Sequence, residues 1–289
     1  MEKYEKLKVL SAEQFRRLTG VKRETFERMV EVLIEAQNRR YRRAGRRGGL
    51  SIQDKLLMAL EYLREYRTYF HLGRSYRLSE SGCYRACRWV KDTLIKSGEF
   101  SLPGKKALLE KDSEYEGVLI DASESPVERP KRRVKEKKKI RNRNNKQQHF
   151  YSGKKKRHTL KSQVVVDKKS RKVICTAFSN GKKHDYKLFK EIKVRWTDNR
   201  CAITDSEYTG IKKLRRNSRL SKKSRKRKAL TQEEKKQNQA ISSERVINEN
   251  VIGSLKKFKI ISDRYRNRRR RFGLRFNLIA MIYNYEIEI

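Results

Sequence analysis

Gly117-Val-Leu-Ile-Asp121 and, further along the chain, Cys201-Ala-Ile-Thr-Asp205 are short apolar runs that each end on a carboxylate. Runs of this length between polar flanks read as buried strands. Between them, Thr159 to Asp167 and Lys172 to Phe178 are β-rich stretches separated by the turn Asp167-Lys-Lys-Ser170, a hairpin pattern. Asp185 to Val194 reads as a short helix, and the last helices as Gln239 to Phe258 and Arg268 to Tyr285. Antiparallel strands followed by strands and helices predict a mixed α/β core. A single strand-end Asp commonly caps a turn. Two of them in one sheet can converge.

The chain before this core reads helical. Ser11 caps a segment with an acidic first turn, and Phe26, Met29, Val30 and Leu33 recur at helical spacing. Ser51-Ile-Gln-Asp54 has the form of a capping box and starts a helix with Leu56, Leu57, Leu60 and Leu63 on one side. Tyr69 to Tyr76 then forms a short helix, Arg77-Leu-Ser79 a turn and Glu80 to Ile95 a second helix with Ser79 as its cap. That is a helix-turn-helix layout near 69–95, and it puts Ser81, Tyr84, Arg85 and Arg88 on the face that would meet DNA. Gly82 near the start of the second helix weakens the pattern, since Gly costs a helix about 1 kcal/mol. Ser97-Gly-Glu-Phe-Ser-Leu-Pro-Gly104 breaks helix, so a helical DNA-binding region is expected over 1–104 and an α/β domain over 105–289.

Charge narrows the partner. Among 289 residues, 77 Lys and Arg face 34 Asp and Glu, a formal net charge of +43. Such a surplus repels itself in a compact fold unless a polyanion neutralises it, and each neutralised phosphate releases a counterion. Charge alone leaves DNA and RNA equally open. No apolar run approaches the ~18 residues a membrane span needs, and Met1 to Leu10 lacks a signal-peptide core. The protein is therefore expected to be soluble and to stay where it is made, in the cytoplasm. Four cysteines do not make a disulfide framework and read as reduced packing residues. Two stretches, Lys131 to Lys161 and Lys212 to Lys228, concentrate the basic residues; in the first, Lys154, Lys155, Lys156, Arg157 and His158 are candidate DNA contacts.

Facing a polyanion, paired carboxylates have a chemical use. Phosphodiester cleavage with two Mg²⁺ ions needs hard oxygen ligands, one ion serving the attacking oxygen and the other the leaving one. Asp121 and Asp205 are the candidate pair. A third ligand is sought on a helix, and Glu244 to Lys256 places Arg245, Glu249 and Lys256 within about 60° of a common face. The same pattern also suits a surface row of ion pairs.

These residues resemble the insertion-sequence-five family of bacterial transposases, in the branch related to eukaryotic Harbinger elements. The similar stretches are Val118 to Pro130, Tyr151 to Lys161, Ala177-Phe-Ser-Asn-Gly-Lys-Lys-His-Asp185, Thr204 to Ile211, Glu244 to Lys256 and Ile260 to Arg269. The family's Arg, three residues, Glu, six residues, Lys signature falls on Arg245, Glu249 and Lys256. The resemblance implies an RNase H-like fold with Asp121 on the first strand, Asp205 on the fourth and Glu249 on a later helix. It implies that these three hold two Mg²⁺ ions, with Mn²⁺ also suited, and that Arg245 and Lys256 hold DNA. It further implies cleavage at the terminal inverted repeats, strand transfer into target DNA, and a homodimer that pairs two ends. Two features depart from it. Glu207 stands where the family usually has Gly, and would be strained if that position needs a positive φ. The stretch from Lys135 to Gln148 is longer and more basic than the family pattern. Those departures keep open an alternative, a transposase-derived DNA-binding protein without catalysis.

Overall fold

The computed structural model describes residues 3–41, 49–110, 115, 117–131, 146–194, 196, 200–214, 217–222, 224, 230–267 and 269–289. They form two compact units. The first combines Met1–Ser101 with Leu255–Asp263 and Leu274–Ile289; the second combines Leu102–Ser254 with Arg264–Gly273.

In the first unit, α1 (Ala12–Thr19) opens with a complete capping box, in which the Ser11 and Gln14 side chains serve each other's backbone N–H groups. Phe26, Met29, Val30 and Leu33 of α2 (Arg23–Tyr41) are buried, as their spacing predicts. The helix α3 (Ile52–Arg64) differs from the one-sided reading: it is buried nearly all round, Met58, Ala59 and Tyr62 included. A central helix with neighbours on every side needs no polar face. Only half of its capping box exists. Ser51 accepts the Asp54 N–H, but the Asp54 carboxylate accepts the N–H groups of Lys3 and Tyr4 and thereby ties down the start of the chain.

The helix-turn-helix follows as α4 (Tyr69–Tyr76) and α5 (Glu80–Lys96). Arg77 turns the chain with φ 53°, and the Ser79 hydroxyl accepts the Gly82 N–H. Cys83, Cys87, Val90 and Leu94 are buried, while Ser81, Tyr84, Arg85 and Arg88 are exposed. Gly73 is fixed by the tightness of this turn, since a Cβ there would meet the Leu78 carbonyl oxygen at 2.5 Å. Two segments from the far end of the chain complete the unit. α10 (Lys259–Ser262) packs on α3, and the buried Glu286 of α11 (Phe272–Glu288) accepts hydrogen bonds from Arg16, Lys22 and Thr25.

The second unit is built on a mixed sheet. Its strands are β1 (Gly117–Pro126), β2 (Tyr151–Ser152), β3 (Arg157–Asp167), β4 (Val173–Asn180), β5 (Cys201–Thr204) and β6 (Ser218–Leu220). β4, β3 and β1 run antiparallel as neighbours; β5 pairs parallel with β1, and β6 parallel with β5. The short β2, preceded by α6 (Lys146–Phe150), pairs only with the start of β3. The helices are α7 (Asp185–Ile192), α8 (Ile211–Leu214) and α9 (Gln232–Lys256). Val118 and Ile120 of β1, Val165 of β3, Ala202 of β5 and Phe189 of α7 share one core. An antiparallel hairpin beside β1 with parallel strands on its other side, plus packed helices, is the RNase H-like arrangement.

Replacing Gly73 by Ala forces the turn open, and overpacking of this kind typically costs about 1–3 kcal/mol. Gly73→Ala is expected to lower the urea midpoint of unfolding; an unchanged midpoint would show that the turn gives way freely.

Candidate active site

Register decides where the two aspartates lie. Gly117 pairs with Cys201, and the parallel ladder continues in step to Ile120 beside Thr204. The next position on each strand is Asp121 and Asp205. Adjacent strands lie about 4.8 Å apart, and equivalent positions of a parallel pair point to the same face, so the two carboxylates are neighbours. The ladder between β1 and β5 stops at this point, whereas β1 stays paired with β3 as far as Pro126 beside Thr159. From Asp121 to Ser125 that edge of β1 therefore has no paired strand among the described residues, and Tyr265 closes it again at Pro126 and Val127. Crevices beyond the carboxyl ends of parallel strands are where open α/β sheets bind ligands.

The structure corrects one expectation here. Asp121 is not at the end of its strand but in mid-strand, because β1 continues to Pro126. Asp205 does end its strand, and its Oδ1 caps the following turn by accepting the Glu207 N–H at 2.9 Å. The turn-capping reading thus holds for Asp205, whose position also lies next to that of Asp121.

Asp121 Oδ1 accepts the Ala122 N–H at 2.8 Å, and Oδ2 lies 4.0 Å from the Arg245 guanidinium. Burial pushes the Asp121 carboxyl up to about 6; Ala122 and Arg245 oppose the shift, and Asp205 and Asp185 reinforce it. α9 starts well before the expected Gln239 and brings Arg245 to this point. Glu244, on the same turn, anchors the helix through Lys168 at 2.8 Å and Arg219 at 2.6 Å. Asn248 is buried with both amide atoms lacking a hydrogen-bond partner. Glu249 is one turn beyond Arg245 and exposed, and Lys256 ends the helix within the first unit. Among the described residues, no three Asp, Glu, His or Cys side chains are gathered closely enough to hold a metal ion. What is brought together is the Asp121–Asp205 pair with Arg245. These hard oxygen donors, one of them protonated too easily for want of positive charge, fit a divalent cation of the Mg²⁺ class.

Residues 120–284 match the family described as DDE superfamily endonuclease, and residues 48–100 match the helix-turn-helix of DDE superfamily endonuclease. This chain belongs to the DDE superfamily endonucleases. It is also similar to a protein of Microchaete diplosiphon named "Probable transposase for insertion sequence element IS702", with 43% identity over 287 residues and 99% of each chain covered. No solved structure gives a significant match. DNA is thus the partner implied for the helix-turn-helix, and no helix among the described residues is long and apolar enough to cross a membrane.

The remaining basic candidates of this DDE endonuclease are distributed unevenly. Lys154, Lys155, Lys156 and Arg157 are exposed on the turn between β2 and β3, but Lys154 is paired with Glu207 at 2.7 Å. His158 is half-buried against Tyr151, and burial lowers its pKa, with Arg129 adding to the effect. Its charged form is therefore disfavoured. Most of the stretch from Lys135 to Gln148 and part of that from Lys212 to Lys228 lie outside the described residues. Glu207 is not strained: it sits in the 3₁₀ turn Ser206–Tyr208 and has no positive φ, so the position does not require Gly.

Sequence reasoning missed the charged cluster beside the pair. The buried Lys161 of β3 donates to Asp185 Oδ1 and to the Lys183 carbonyl, and lies 3.8 Å from Glu124. Its signal was present in Ala177 to Asp185, a stretch carried by resemblance without a role.

The folded protein holds the Asp121 proton more tightly than the unfolded chain, so ionisation costs stability. That contribution is intact below about pH 4 and is lost as pH rises past about 6. In metal-free buffer Asp121→Asn is expected to melt above the parent at pH 7.5, by on the order of 2–3 kcal/mol at most, and to lose that advantage at pH 4. A variant that melts below the parent at both values would contradict the assigned environment.

Proposed function

We propose that this DDE endonuclease is the transposase of an insertion sequence, of the insertion-sequence-five type related to Harbinger elements. The observation that carries the reading is the register of β1 and β5, which makes neighbours of Asp121 and Asp205 where the sheet opens. The 43% identity to a relative named as a transposase, over nearly all of both chains, supports the same reading. In this proposal the region 1–104 reads the terminal inverted repeats with the exposed face of α5, through Ser81, Tyr84, Arg85 and Arg88, and the region 105–289 carries out cleavage.

Asp121 and Asp205 hold two Mg²⁺ ions, with Glu249 brought in from α9 as the third ligand; Mn²⁺ can replace them. When bound, the ions activate the attacking oxygen and relieve charge on the leaving one. The chain's own residues do the rest. Arg245 keeps Asp121 ionised in the presence of DNA and offers a fork to phosphate. Lys155, Lys156 and Arg157 hold the backbone of the strand next to the crevice, and Lys154 does so on release from Glu207. His158 lines this groove as a neutral donor, and Lys256 holds flanking DNA. Hydrolysis at the element's end frees a 3′-hydroxyl, which then attacks a target phosphodiester in line. One phosphodiester is exchanged for another, so no external energy source is needed. Two copies pair two ends as a homodimer.

The test is cleavage of a supercoiled plasmid carrying the element's own ends, comparing the parent chain with Asp205→Ala and Glu249→Ala. Metal-dependent nicking at the ends is expected from the parent and a loss of at least 100-fold from each variant, with end binding retained in a gel-shift assay. Parent-like cleavage by Asp205→Ala would overturn the site, and parent-like cleavage by Glu249→Ala would remove the third ligand.

A further inference from the structure

The Asp121–Asp205 crevice is approached by a second group of charges, from the end of the sheet where α7 begins. Asp185 is the first residue of α7, is buried, and accepts a hydrogen bond from Lys161 through Oδ1. Lys161 is itself buried, and its ammonium is turned inward to Asp185, the Lys183 carbonyl and Glu124. It faces protein, not DNA, although it lies in the most basic part of the sequence. The position of α7 is enforced by Gly181, where a Cβ would fall well inside contact distance of the Thr159 hydroxyl. Thr159 in turn donates to Glu124 at 2.8 Å.

A simple structural ion pair would be charge-balanced and fully hydrogen-bonded. This group is not charge-balanced. Among the described residues, Asp121, Glu124, Asp185, Asp205 and Glu207 act on one another with Lys154, Lys161 and Arg245, five carboxylates against three cations. Asp185 and Glu207 bear on each other as well, with Lys161 paired to the first and Lys154 to the second. Independently, the Tyr208 hydroxyl is fully buried, has no hydrogen-bond partner, and sits in the field of Asp185, Asp121, Asp205 and Glu207. A buried hydroxyl left unpaired costs free energy, and a hydrated cation in the crevice would give it a water to bond.

We propose that Asp185, held by Lys161, is an outer carboxylate of the divalent-cation centre, acting on the ion through its water shell, with Lys161 as its positioning residue. The inference rests on the metal-centre reading above. Mg²⁺ sheds water reluctantly and keeps several of its waters when bound, so a carboxylate beyond direct reach still contributes charge and orientation. This also accounts for a crevice in which no three ligands touch one point: the inner pair is supplemented by outer groups on fixed supports.

The test measures Mn²⁺ binding to the full chain by electron paramagnetic resonance, without DNA, for the parent, Asp185→Asn and Asp121→Ala. Outer groups of metal sites typically contribute 10–100-fold to affinity, so Asp185→Asn is expected to bind Mn²⁺ about 10-fold more weakly with end binding unchanged. Parent-like Mn²⁺ affinity in Asp185→Asn, alongside loss in Asp121→Ala, would overturn the role of Asp185 alone. Parent-like affinity in both would overturn the metal centre itself. Should Asp185→Asn fail to fold, Fe²⁺-directed hydroxyl-radical cutting of the parent backbone supplies the same answer. Cuts beside Asp121, Asp205 and Asp185 are expected; cuts at the first two with none near Asp185 would overturn the proposal.

Discussion

The parallel pairing of β1 with β5 is the interaction on which the site depends. It is only four residues long, yet its register sets Asp121 beside Asp205, and its termination opens the edge of β1 immediately beyond Ile120. A slip of one residue would send one carboxylate to the opposite face of the sheet. The apolar residues before each aspartate resist that slip. Val118, Ile120 and Ala202 are buried in the core, and moving either strand by one position would put an aspartate there instead. Hydrophobic burial thus holds in place two charges that repel each other, and the burial of Asp121 is the main source of its electrostatic cost.

Around this pair the chain places its charges by function. The chain is strongly basic, but among the described residues the crevice and its surroundings gather carboxylates, and the cations beside them are each paired with one. Arg245 reaches Asp121, Lys161 holds Asp185, and Lys154 meets Glu207. A cation-poor centre in a cation-rich protein suits a reaction whose substrate is a polyanion and whose missing charge is a divalent ion. In the proposed reaction DNA would be attracted over a wide area, and the ion would be retained at one point.

Much of this was legible in the sequence, for reasons that can be named. The helix-turn-helix could be read because the turn Arg77 to Ser79 and the Ser79 cap between two helical stretches are local signals, and local signals are what a sequence displays directly. The two aspartates could be found because each follows an apolar run. Other features could not be read. Asp121 lies in mid-strand because Ala122 to Pro126 continue the strand on the strength of β3 alone, a long-range pairing. The all-round burial of α3 and the tie from Glu286 to α1 and α2 depend on which segments return from the far end of the chain. The diversion of Asp54 from its capping box to the amides of Lys3 and Tyr4 is of the same kind. Lys161 read as one more basic residue because neither Asp185 nor Glu124 is near it in sequence. Glu207 looked like a lesion only so long as its backbone was taken to need a positive φ.

The most direct test of the central claim is a change of metal preference at the paired positions. Asp121→Cys and Asp205→Cys replace a hard oxygen ligand by a softer sulfur one, which tolerates Mn²⁺ better than Mg²⁺. If both side chains bind the ions, each variant will cleave the element's ends in Mn²⁺ and fail to do so in Mg²⁺. Cleavage in Mg²⁺ at the parent rate by either variant would show that its carboxylate is not a ligand, and that the convergence of β1 and β5 serves some other end.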